Sequence, residues 1–142
     1  MKQILVVDDA ATVRMYHRKM LGDAGWSVDE AVNGLEALER VMARPGGPAY
    51  DLYVVAVNMP KMDGYTLVRE LRRLPQLAQA PVLMVSTEAQ MHDAAAAEEA
   101  GANGYLIKPA RPRDLVLTAA LLMGDGVTAR RIAAGRMQGV SA

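Results

Sequence analysis

The apolar positions of this chain fall into five short runs separated by stretches of helical period. Gln3–Val7, Leu52–Val57, Pro81–Ser86 and Asn103–Ile107 are rich in β-branched and other apolar residues, whereas Ser27–Ala31 is more polar. The runs at Leu52–Val57 and Pro81–Ser86 have the length and uniformity of strands covered on both faces of a parallel sheet. Between the runs, Ala10–Ala24 carries Val13, Tyr16, Met20 and Leu21 at helical spacing. A second helix opens after Asn33-Gly34 with Leu35, Leu38, Val41 and Met42 on one face, and Arg44-Pro45-Gly46-Gly47-Pro48 follows as a loop. A third opens after Asp63-Gly64, turns Leu67, Val68 and Leu71 inward and ends at Pro75. The Ala-rich segment Gln90–Ala100 is stopped by Gly101, and Asp114–Met123 is a fifth helix. Five strands alternating with five helices require right-handed crossovers and helices on both faces of one parallel sheet, a doubly wound α/β fold.

With 142 residues the chain predicts one domain, and its 16 basic and 16 acidic residues cancel. Nothing in that balance points to nucleic acid or to an anionic membrane surface. Cysteine is absent, which excludes disulfides and thiolate metal sites. Met1–Val7 is too short an apolar run for a signal peptide, and no run is long enough to span a bilayer, so a cytoplasmic protein is expected. The pattern assigns residues 1–123 to the domain. Residues 124–142 turn to Gly, Arg and Ala, allow a short helix at Thr128–Ala134, lack an apolar stripe, and are expected to be frayed or loosely docked.

In a sheet of this kind the carboxyl ends of the first, third, fourth and fifth strands share one lip. They bring together Asp8 and Asp9, Ala56 and Asn58, Ser86 and Thr87, and Lys108. Adjacent carboxylates suit Mg²⁺, and a lysine with a hydroxyl suits the oxygens of a phosphoryl group. Taken singly, Asp8-Asp9 reads as a helix cap, Ser86 and Thr87 as capping residues, and Lys108 as a solvated charge. Their joint placement at four strand ends favours a site.

Asp8-Asp9, the segment Asn58-Met59-Pro60-Lys61-Met62-Asp63-Gly64, Ser86 and Lys108-Pro109 resemble the receiver domain of bacterial two-component response regulators over nearly all of residues 1–123. The segments Pro81–Ala89 and Gly101–Pro109 are most similar to the stand-alone chemotaxis type. The resemblance implies a flavodoxin-like strand order 2-1-3-4-5. It implies Mg²⁺ held by Asp9 directly, by Asp8 as its helper and by the backbone carbonyl of Asn58. It also makes Ser86 the switch hydroxyl with Thr87 beside it, Lys108 the cation that meets the phosphoryl group, Tyr105 an aromatic rotamer switch, and Lys108-Pro109 a cis peptide. The implied partners are a sensor histidine kinase or phosphotransfer protein and a downstream target on the face of the fourth helix, fifth strand and fifth helix. Nucleic acid, membrane and enzymatic turnover are not implied.

One position departs from that pattern. The phosphoacceptor aspartate is expected two residues before Asn58, where this chain has Ala56. A methyl group cannot attack phosphorus, Mg²⁺ should be held more weakly with one carboxylate gone, and Lys108 loses its resting partner. Two accounts are open: a deliberate Asp→Ala change that blocks phosphorylation, or a natural pseudo-receiver that binds partners without phosphate. Retention of Asp8, Asp9, Ser86 and Lys108 favours the first.

Other residues receive plainer readings. His17 and His92 have no partners at metal-ligand spacing and are expected at helix surfaces, with His17, Arg18 and Lys19 facing outward as a solvated face or a kinase-docking one. Trp26 is expected to pack at a sheet edge, Met84 belongs to a buried strand, and Arg130, Arg131 and Arg136 are too scattered for nucleic acid. A Mg²⁺-dependent phosphatase would require Asp-x-Asp in place of adjacent aspartates, and a flavin protein would require a hydroxyl- and glycine-rich first loop.

Overall fold

A computed structural model describes residues 1–44, 50–87 and 91–135, with only the backbone at 91 and 92. The expectations for Pro45–Pro48, for Gln90, for the end of the tail with Arg136, and for the side chain of His92 lie outside the described residues. Strands β1 (Gln3–Val7), β2 (Ser27–Ala31), β3 (Leu52–Ala56), β4 (Val82–Ser86) and β5 (Gly104–Ile107) alternate with helices α1 (Ala11–Asp23), α2 (Gly34–Met42), α3 (Gly64–Arg73), α4 (Met91–Ala100) and α5 (Pro112–Met123). A sixth helix, α6 (Gly126–Ala133), follows, and a 3-10 turn at Pro75–Leu77 links α3 to β4. All pairings are parallel, in the order β2-β1-β3-β4-β5.

Side chains alternate across the sheet and divide the core in two. Ile4, Val6, Leu52, Val54, Leu83 and Val85 face α1, α5 and α6. Leu5, Val7, Tyr53, Val55, Val82 and Met84 face α2, α3 and α4. Each fully buried Leu, Ile or Val in these layers stabilises the fold by roughly 1.5–3 kcal/mol. Helix starts follow the turn chemistry: Asn33 Oδ1 accepts from the Glu36 N–H at 2.9 Å and Asp63 Oδ1 from the Thr66 N–H at 2.8 Å. At the opposite end of the sheet from the strand carboxyl ends, the Arg72 guanidinium donates to the carbonyls of Leu77, Ala80 and Gly101 and to Asn103 Oδ1, tying α3 to the starts of β4 and β5.

The beginning of the tail is neither frayed nor loosely docked. Gly124, at φ 71°, closes α5 in the left-handed conformation that glycine adopts without penalty. Asp125 then caps α6, its carboxylate accepting from the Thr128 N–H at 3.1 Å, the Thr128 hydroxyl at 2.8 Å and the Trp26 indole N–H at 3.0 Å. Those hydrogen bonds, the Thr128 backbone N–H foremost, hold the Asp125 carboxyl below its ordinary value. Ala129 and Ile132 enter the α1/α5 core beside Trp26, which is buried there and not merely placed at a sheet edge. The stripe is short, with one large apolar side chain, which is why the apolar pattern alone reads as undocked.

Candidate functional site

Register places the site. Val7 pairs with Val55, Ala56 with Val85, and Ser86 with Ile107, so Asp8, Ala56, Ser86 and Lys108 follow one another across the carboxyl ends of β1, β3, β4 and β5. The ladder continues one step beyond the last strand through the Lys108 N–H, which donates to the Ser86 carbonyl at 2.7 Å. Asp8, Ala56 and Ser86 are buried, while Asp9, Asn58 and Thr87 are exposed and Tyr105 is half-buried. The Lys108–Pro109 peptide bond is cis.

The loop after β3 is folded back tightly. The Gly64 N–H donates to the Val57 carbonyl at 2.8 Å and the Met62 N–H to the Pro60 carbonyl at 2.8 Å. A Cβ at residue 64 would collide with the Ala56 carbonyl oxygen, so glycine is required there by close approach of two backbones. Lys61 takes a positive φ of 69°, a left-handed conformation unusual for a residue with a side chain.

Asp8 is held from four directions. Its N–H donates to the Ala31 carbonyl at 3.1 Å, and its own carbonyl accepts from Arg14 Nη1 at 2.7 Å. Oδ1 accepts from the Ala10 N–H at 2.9 Å, just ahead of α1, whose N-cap Ala10 makes no side-chain hydrogen bond, and Oδ2 accepts from Lys108 Nζ at 2.6 Å. The expectation that Lys108 lacks a resting partner is therefore corrected. With a methyl at position 56 the ammonium reaches the nearest buried carboxylate, and the pair is desolvated, with side-chain exposures of 17% for Lys108 and 3% for Asp8.

His17 is the second correction. It is 2% exposed, its Nδ1 is buried without a hydrogen-bond partner among the described residues, and burial pushes its pKa down to about 4. The Asp8 charge opposes that fall and the Lys108 charge adds to it. Of the residues expected to face outward beside it, Arg18 is exposed but bridges to Glu30 at 2.7 Å, and Lys19 bridges to Asp23 at 3.1 Å. Val13, Tyr16, His17, Lys108, Pro109 and Ala110 line a largely apolar groove of about 380 Å³ next to the site, and the Tyr16 hydroxyl donates to the Ala110 carbonyl at 2.8 Å, joining α1 to the loop after β5.

Chemically, the cluster offers oxygen donors and a cation but no nucleophile at the end of β3. Among the described residues no group of three or more His, Cys, Asp or Glu is placed to hold a metal. Asp8, Asp9 and the Asn58 carbonyl are hard oxygen donors of the kind Mg²⁺ takes together with waters, so the residues fit that ion with one carboxylate fewer than a three-acid site. Asp8 must also share its oxygens with Lys108 and Ala10. Arg14 is a site residue that the spacing of charges did not reveal, because its contact is to a backbone carbonyl. Among the described residues no helix is long and apolar enough to cross a membrane.

Comparison with known proteins bears on the same stretch. The family described as "Response regulator receiver domain" matches residues 4–120. The chemotaxis protein CheY-3 of Vibrio cholerae is 39% identical over 108 residues, covering 75% of this chain and 80% of that protein. The gliding motility regulatory protein of Myxococcus xanthus is 37% identical over 106 residues, and the match covers 75% of this chain but only 13% of that protein's length. Among solved structures, the V. cholerae chemotaxis protein CheY4 superposes with a TM-score of 0.79 at 33% identity, covering 86% of this chain and 98% of that one. The signal receiver domain of a signal transduction histidine kinase from Syntrophus aciditrophicus superposes with a TM-score of 0.73 at 26% identity, covering 100% of this chain and 98% of that one.

Proposed function

We propose, since this chain belongs to the response regulator receiver family, that it is a receiver acting in a cytoplasmic two-component phosphorelay, residues 1–123 forming the domain, present in a form that cannot be phosphorylated. Ala56 stands where the acceptor aspartate of a working site would stand, and we read it as an Asp→Ala replacement in an otherwise complete site. The observation that supports this reading is the succession of Asp8, buried Ala56, Ser86 and Lys108 across the carboxyl ends of β1, β3, β4 and β5, with Lys108 resting on Asp8.

In this reading Asp9, Asp8 and the Asn58 carbonyl hold Mg²⁺, which when bound neutralises phosphoryl oxygens. Lys108 leaves Asp8 to meet the phosphoryl group, Ser86 and Thr87 turn toward it, and Tyr105 carries the change to a target on the α4–β5–α5 face. A phosphoryl group adds about −1.5 to −2 charge, which is what biases such a switch. Without an acceptor that bias is unavailable, and Lys108 stays on Asp8. The donor partner is a sensor histidine kinase or a phosphotransfer protein.

Acetyl phosphate with Mg²⁺ tests it: the chain gains no phosphoryl mass, whereas Ala56→Asp gains one. A phosphorylated Ala56 protein would overturn the reading. The Lys108–Asp8 pair, complete without an acceptor, favours one second reading, a natural binding module that works without phosphate. That module would hold its target equally well before and after phosphorylation of Ala56→Asp.

A further inference from the structure

The Asp8–Asp9 peptide is held from outside the cluster by a device that involves no ligand. Arg14, on the second turn of α1, donates through Nη1 to the Asp8 carbonyl at 2.7 Å and through Nε to Glu30 Oε1 at 3.0 Å. Glu30 is in turn bridged by Arg18 at 2.7 Å to its other oxygen. The Arg14 side chain is 15% exposed, so its guanidinium bonds to these two acceptors in a partly desolvated setting, where a planar fork is stronger and more directional than a lysine.

We infer that Arg14, braced by Glu30, is the positioning residue of the acidic pair. A peptide unit is planar and trans, so fixing the Asp8 carbonyl toward Arg14 also fixes the Asp9 N–H in the opposite direction and sets the origin of the Asp9 side chain. The same anchor keeps Asp8 where Oδ1 caps the Ala10 N–H and Oδ2 meets Lys108. Among the described residues the hydrogen bonds of Arg14 go to the Asp8 carbonyl and to Glu30 and not to a carboxylate of the pair. Its effect on a bound cation is indirect, through the angle at which two neighbouring carboxylates are presented, and a misplaced pair loses affinity although both ligands remain. Glu30 belongs to β2, so the end of the edge strand is part of the geometry of a site built on β1, β3, β4 and β5.

The metal half of this inference rests on the Mg²⁺ reading above, and the experiment separates the two. Mg²⁺ affinity is measured by calorimetry on the full chain, in the parent and in the Ala56→Asp background, each with and without Arg14→Ala, Arg14→Lys and Glu30→Gln, at a temperature where every variant is folded. Hydrogen exchange of the Ala10 amide is followed in the absence of metal, with Leu5 and Val54 amides as core references. Arg14→Ala is expected to weaken Mg²⁺ at least tenfold in both backgrounds and to speed Ala10 exchange at least tenfold while the core amides keep their protection. Arg14→Lys, which can satisfy one acceptor, falls between, and Glu30→Gln, which keeps an acceptor for Nε, stays nearer the parent. If Mg²⁺ affinity and Ala10 exchange in Arg14→Ala stay within twofold of the parent, or if the core amides speed up equally, the positioning role is overturned. If Ala56→Asp with Arg14 intact binds no Mg²⁺, the metal reading fails, and the Ala10 amide alone decides whether Arg14 orders the loop.

Discussion

Lys108 Nζ lies 2.6 Å from Asp8 Oδ2, a contact between residues 100 positions apart that spans the site from β5 to β1 across the ends of β3 and β4. Breaking a buried pair by removing one partner costs roughly 3–5 kcal/mol, because a charge is left behind without its counterion. Lys108 is partly exposed and Asp8 keeps the Ala10 N–H, which puts Lys108→Met toward the lower end, roughly 3 kcal/mol. Urea denaturation at pH 7 checks this, and a loss below about 1 kcal/mol would mean that water already solvates the pair.

The methyl at position 56 has an effect of opposite sign. Ala56→Asp would bury a third carboxylate beside Asp8 and Asp9 with a single lysine to share. Carboxylates about 4 Å apart repel by roughly 1–4 kcal/mol depending on the effective dielectric. In chelator the Ala56 protein is therefore expected to melt above Ala56→Asp, and Mg²⁺ should raise the midpoint of the aspartate variant more than that of the parent. Calorimetric scans with and without Mg²⁺ measure both, and a lower midpoint for the parent in chelator would contradict the charge argument.

Much of this arrangement is readable from the chain before any coordinates. The uniform apolar runs of β3 and β4, the Asn33-Gly34 and Asp63-Gly64 helix starts and the clustering of polar residues at strand ends all follow from local chemistry. His17 shows where such reading stops. It lies four residues from both Val13 and Leu21, on the inward stripe of α1, and the lack of partners at metal-ligand spacing, which argues against a ligand, does not by itself argue for the surface. The partner of Lys108 is a choice among carboxylates distant in sequence, decided by which ones the fold leaves within reach. The docking of α6 depends on the Trp26–Asp125 bond between residues 99 apart, which no local pattern contains.

His17 makes stability depend on acid in a predictable direction. The folded protein keeps the imidazole neutral, with its pKa pushed down to about 4, whereas an unfolded histidine titrates near 6.5. Between those values the unfolded chain binds a proton that the folded chain does not, so the full stability present above about pH 6.5 is lost as pH falls toward 4 and the loss levels off below it. The window amounts to roughly 3 kcal/mol at most. His17→Leu should remove that part of the acid sensitivity while also relieving the unpartnered Nδ1. Parallel slopes for parent and variant, in stability against pH from 7 to 4, would rule the contribution out.

The cap of α6 predicts a cost far from the site. Asp125→Ala removes acceptors for the Thr128 N–H and hydroxyl and for the Trp26 indole at once. Loss of a helix cap is worth about 1 kcal/mol, and the deserted indole donor adds to it, for roughly 1–2 kcal/mol in urea. Mg²⁺ affinity should not change, since α6 and the acidic pair lie at opposite ends of the strands. A measurable drop in that affinity would show the two ends to be coupled.

Trp26 is the single tryptophan of the chain, and it is buried where α6 meets the start of β2. Its emission is therefore an unlabelled optical gauge of whether the C-terminal helix is seated. Any cation titration followed by that light will be nearly silent at the strand carboxyl ends, however well the ion binds.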